Sequence, residues 1–105
     1  QLNIKALLAR EPDSPALKKY ALASRLLGAK NSHHQTRQSI EDSLTALCDL
    51  LIEWTERLQL PNLSHYGITH SDIAKLVKHS RGSSMQTNPV VLSDTEIAGL
   101  IQACL

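Results

Sequence analysis

The sequence predicts an all-α protein, a compact irregular bundle of about five helices. Three observations carry that prediction. The 105 residues include no Phe and only three aromatics, Tyr20, Trp54 and Tyr66, so the apolar content is mostly leucine and alanine. Such side chains favour helix, whereas strands prefer β-branched and aromatic residues. Apolar positions recur at three-and-four spacing in several runs. Helix-start signals stand in front of most of those runs.

The first run, Gln1 to Arg10, carries Leu2, Ile4, Leu7 and Leu8 near helical spacing, and Glu11-Pro12-Asp13 ends it, because proline disfavours helical backbone in the residue before it. Ser14-Pro15 then predicts a hydroxyl cap and a proline at the first helical position. Leu17, Tyr20, Ala21, Leu22, Leu26 and Leu27 make the apolar face of that second helix, and Gly28 falls where a left-handed C-cap belongs. The polar stretch Ala29 to Gln35 reads as an exposed loop or frayed helix start. The longest periodic run begins near Thr36 and continues to about Leu60, with Ile40, Leu44, Leu47, Cys48, Leu51, Trp54 and Leu58 on one face. Leu50 and Ile52 widen that face, which predicts a central helix touching neighbours on two sides, stopped by Pro61.

Beyond the linker Pro61 to Gly67, Thr69-His70-Ser71-Asp72 reads as a variant capping box, opening a short helix whose buried edge is Ile73, Leu76 and Val77. Arg81 to Leu92 reads as irregular, with Pro89 to Leu92 able to run extended. Ser93-Asp94-Thr95-Glu96 is a full capping box, and the last helix places Ile97, Leu100, Ile101 and Cys104 inward.

Charge and composition exclude several functions. Eleven basic residues against ten acidic, a net charge of +1, provide no excess for gripping phosphates, so nucleic acid is not an expected partner. No apolar run reaches the roughly 18 residues of a membrane span, and the N-terminus lacks the layout of a signal peptide. Two cysteines, Cys48 and Cys104, do not make a disulfide framework, which predicts a reducing, cytoplasmic setting. A chain opening directly into an apolar helix reads as a piece cut from a longer protein.

The five histidines invite a metal reading, but none share the four-residue spacing that puts two imidazoles on one helix face, and no Cys-x-x-Cys occurs. His33, His34, His65, His70 and His79 are most simply surface or capping residues. Cys48 and Cys104 lie on apolar faces and read as packing thiols. Gly28, Gly67, Gly82 and Gly99 stand too far apart to cradle a phosphate. Trp54 reads as core and Tyr66 as a turn anchor. A helix-turn-helix reading of Thr69 to Leu105 fails on the twelve-residue gap between its helices. The informative segment is Arg81 to Pro89, polar and set between two capped helices. It serves either as a plain surface connection or as a loop laid across a neighbouring cleft.

In order, the chain carries Leu60-Pro61-Asn62-Leu63, Tyr66-Gly67-Ile68, the Asp72 to Val77 helix, Arg81-Gly82-Ser83-Ser84-Met85, Asn88-Pro89, and Leu92-Ser93-Asp94-Thr95-Glu96-Ile97. This order resembles the C-terminal end of the iron-containing (group III) alcohol dehydrogenases. Glu11 to Gly28 resembles the family's "Pro…Tyr-Ala…Leu-Leu-Gly" helix, so the likeness covers the chain from end to end. It implies that residues 1–105 are the C-terminal helical subdomain of an NAD(P)-dependent oxidoreductase acting on an alcohol or aldehyde. The parent would bind a divalent metal, iron or in some relatives zinc, between its two domains. The family's Gly-rich nucleotide loop and its Asp and His metal ligands have no counterpart here. The resemblance therefore implies no metal, cofactor or catalytic residue in this segment, and inactivity when alone. It does imply a pocket-lining place for Ser84 and then Met85, with Asn88 and Pro89 shaping the loop.

The expected partners are the rest of the parent polypeptide and its substrate. Apolar surface left bare by the missing part would allow self-association. The alternative is a free-standing helical module that binds a partner protein through a groove between helices.

Overall fold

The computed structural model describes residues 1–28 and 39–105, and among them every regular element is helical. The α-helices are α1 (Leu2–Arg10), α2 (Pro15–Leu26), α3 (Ile40–Arg57), α4 (Ile73–His79), α5 (Ser83–Gln86) and α6 (Asp94–Ala103), with 3₁₀ turns at Leu63–Tyr66 and His70–Asp72. The backbone divides into two compact units, Asn3–Leu60 and Pro61–Leu105. The expected loop at Ala29 to Gln35, the start of the long helix near Thr36, and His33-His34 lie outside the described residues.

In the first unit α2 packs on α3. The buried residues of α2 are Leu17, Ala21 and Ser24; those of α3 are Ser43, Leu44, Ala46 and Leu47. Small side chains on both helices let the backbones approach closely, and each buried leucine contributes roughly 1.5–3 kcal/mol. From α1, Ile4, Ala6 and Leu7 are buried, and Asn3 Nδ2 donates to the Tyr20 hydroxyl at 3.5 Å. Ser24 is fully buried, and its Oγ has no hydrogen-bond partner.

Helix ends follow local chemistry, with corrections. Pro15 does occupy the first turn of α2, but the Ser14 side chain makes no capping bond. Ser39, which the spacing argument passed over, caps α3: its Oγ accepts from Asp42 N–H at 3.1 Å and Asp42 Oδ2 accepts from Ser39 N–H at 3.2 Å. Helix α3 stops at Arg57 rather than Leu60. Gln59 is left-handed (φ 50), Leu60 N–H bonds Thr55 carbonyl and Gln59 N–H bonds Glu56 carbonyl, a Schellman closure ahead of Pro61. Gly28 takes the left-handed conformation expected after α2 (φ 71).

The central-helix expectation is corrected most. Only the N-terminal half of α3 is buried, and every residue from Leu51 to Leu60 is exposed. Ile40 is also exposed, and Leu58 is 67% exposed. Periodicity identifies the apolar face of a helix but not how far a neighbour extends along it. On α2 the buried stripe is narrow, so Leu22, Leu26 and Leu27 remain exposed. On α6, Ile97 is buried and Ile101 half-buried, while Leu100 and Cys104 are exposed. Cys104 follows the last helical turn, where backbone geometry no longer holds it on the inward face.

Candidate functional site

The second unit builds its candidate site between two helices that pack together, α4 and α6. The start of α4 is prepared by the turn at Thr69. Thr69 N–H and its hydroxyl both donate to Asp72 Oδ2, at 2.9 and 2.8 Å. These bonds, the backbone one first, hold the Asp72 carboxyl below its ordinary value of 3.8, with a small further push from the Lys75 ammonium. Val77 is buried, and Ile73 and Leu76 are half-buried, which is the edge the spacing predicted. On α6, Ser93 Oγ accepts from Glu96 N–H at 3.2 Å and Glu96 Oε2 accepts from Ser93 N–H at 2.7 Å, the full capping box.

Between these helices the segment expected to be irregular contains α5, a single four-residue turn. The Thr87 hydroxyl donates to Ser84 carbonyl at 3.0 Å, and Asn88 Nδ2 donates to Val90 carbonyl at 2.7 Å. Val90 and Leu92 are buried and pin the return strand of the loop by their side chains, with no sheet pairing among the described residues. Arg81 ties the two ends together. Its Nη2 donates to Leu92 carbonyl at 3.1 Å and to Asp94 Oδ1. Arg81 opens the polar segment that the sequence singles out, but local spacing does not indicate the tie it makes. Its partners lie eleven and thirteen residues away, beyond any local pattern.

The loop so held presents Ser83 and Ser84 to solvent and leaves Met85 and Asn88 half-buried. The third side of the unit is closed by Leu63 N–H bonding Cys104 carbonyl at 2.8 Å and Ser64 Oγ donating to Leu105 carbonyl at 2.6 Å. His65 and Tyr66 meet edge to face (centroids 5.2 Å), beside Gly67 at φ 81.

Among the described residues no three or more His, Cys, Asp or Glu side chains come together as a metal site. His65, His70 and His79 are exposed, Cys48 is half-buried, and both cysteines are free. Also among the described residues, no helix is long and apolar enough to cross a membrane. In the first unit, Trp54, Arg57 and Leu58 line a shallow concavity of about 370 Å³.

Comparison with known proteins finds no matching family model, no matching curated protein and no matching solved structure.

Proposed function

We propose that the chain is the C-terminal helical part of an iron-containing, NAD(P)-dependent alcohol dehydrogenase, inactive as this segment alone. The observation that carries the reading is the ordered run from Leu60-Pro61 through Ser83-Ser84-Met85 and Asn88-Pro89 to the Ser93–Ile97 cap, which resembles the end of that family. In the parent a divalent metal, iron or zinc, would supply Lewis acidity and a nicotinamide would supply the hydride chemistry, both held by residues outside this segment. The part assigned to this chain is a wall of the pocket: Ser84 and Met85 line it, and Arg81 positions them by closing the loop. Two free thiols fit a cytoplasmic setting.

An antibody against this domain, used on an extract of the source organism, tests the reading. A band several times heavier than 11.6 kDa is expected, and the purified parent should turn over NAD(P)H with an aldehyde in a metal-dependent way. A band at the size of the chain overturns the reading. One observation favours a second reading, a free-standing helical interaction module: the exposed apolar half of α3. The same blot decides between them.

A further inference from the structure

The whole-chain charge of +1 conceals a segregation among the helices of the first unit. Helices α1 and α2 carry five cations and no acid, whereas α3 carries five acids and one cation, Arg57. On α2 the cations share a face. Helical periodicity sets Arg25, Lys18, Leu22, Leu26 and Lys19, in that angular order, within an arc of about 120°. All five are exposed, Leu22 by 47% and Leu26 by 77%. The opposite side of the helix holds Leu17, Ala21 and Ser24, buried where α2 packs on α3. Two leucines thus stand in the middle of an outward face with cations on both flanks. Among the described residues Lys18, Lys19 and Arg25 make no ion pair. The acids nearest in sequence, Glu11 and Asp13, lie in the turn before the helix.

We propose that the outward face of α2 docks on anionic lipid headgroups, lying on a bilayer surface without spanning it. Charge is the first argument. Three cations with no acid among them complement a surface of phosphates and carboxylates, and each Lys or Arg brought close to such a surface strengthens binding. The order of the residues is the second. Leu22 and Leu26 reach the boundary of the acyl chains while the long stems of the flanking cations carry their charges back to the headgroups on either side. The leucine stripe is only about 40° wide, against the roughly 100° by which an amphipathic helix packs on a protein neighbour. A convex face of one helix also offers no groove for a peptide. The third argument is orientation. By the same periodicity Asp42, Asp49, Glu53 and Glu56 cluster on the side of α3 opposite its buried Leu44 and Leu47, which keeps their charge off the face that α2 presents. The docking does not depend on the dehydrogenase reading, and a cytoplasmic setting supplies the anionic leaflet it needs.

The experiment sediments the chain with vesicles of phosphatidylcholine alone and of phosphatidylcholine with about one-third phosphatidylserine. Binding should be at least about tenfold tighter to the anionic vesicles, and should fall about tenfold or more between about 0.05 and 0.5 M salt. Lys18→Gln with Lys19→Gln should weaken it about fivefold or more. Leu26→Ser, at a position exposed enough to leave the fold intact by circular dichroism, should weaken it about threefold or more. Lys75→Gln with Lys78→Gln removes the same charge from exposed positions of α4, in the other unit, and should bind as the unaltered chain does. No preference for the anionic vesicles, no salt dependence, or an equal loss from the α4 pair overturns the docking. So does an unaffected Lys18→Gln with Lys19→Gln, or an unaffected Leu26→Ser. Capture of soluble polyglutamate without capture of vesicles overturns it in favour of an acidic protein partner. Salt-sensitive oligomers without vesicle binding overturn it in favour of a second copy, whose α3 carries the acids. Each of these results leaves the dehydrogenase reading to be decided by the blot.

Discussion

Removing the Arg81 side chain should loosen the candidate site without unfolding the protein. Arg81 makes two bonds, to Leu92 carbonyl and to the Asp94 carboxylate; the Arg81 side chain is 46% exposed and that of Asp94 71%. An ion pair that exposed is worth about 0.2–1 kcal/mol. A hydrogen bond from a charged donor is worth about 1.5–3 kcal/mol when sheltered, and half-exposure reduces that to about 1. Arg81→Ala should therefore cost about 1–2 kcal/mol. In urea, with a slope of about 1 kcal/mol per molar for so small a unit, the midpoint should fall by about 1–2 M. Amide exchange across Ser83–Leu92 should quicken about 5- to 30-fold by the same free energy. Arg81→Lys keeps the charge but lacks the guanidinium's two-partner fork, so about half of the loss should remain. A change below about 0.3 kcal/mol in Arg81→Ala, with unaltered exchange, would refute the idea that this residue holds the loop.

Other outcomes follow from single residues. Gln59→Gly should stabilise the chain by roughly 1 kcal/mol in urea melts, because the left-handed φ of 50 that closes α3 strains any side chain and not glycine. Ser24→Ala should be neutral or stabilising by up to about 1 kcal/mol, since it removes a buried hydroxyl with no partner; a clear loss would mean that the oxygen is bonded. The Asp72 carboxyl, held low by Thr69, contributes stability that is present above the unfolded value of 3.8 and is lost as pH falls through its depressed folded value. An NMR titration should place its midpoint below 3.8, and Thr69→Ala, which deletes the hydroxyl bond but keeps the larger backbone one, should move it part of the way back.

Much of the fold was legible because helix ends are written in local chemistry. The Ser93–Glu96 box, the Thr69–Asp72 turn and Gly28 are each decided within four residues, and the structure contains all three. The Ser39–Asp42 box was equally legible as Ser-x-x-Asp and was missed only because the apolar period drew the helix start upstream. The candidate site was half-legible. Arg81 to Pro89 stands out by composition, but the tie that Arg81 makes does not, because its partners lie at the far end of the loop.

By itself, then, the sequence determined the helical class, the Thr69–Asp72 and Ser93–Glu96 capping turns and the chain breaks, all consequences of backbone geometry and side-chain type at short range. Which part of each face is covered was left to the tertiary structure. Leu47 and Trp54 hold equivalent places on one seam, yet one is 4% exposed and the other 37%. Burial depends on how far a neighbouring helix reaches, and that length is set by residues distant in the chain.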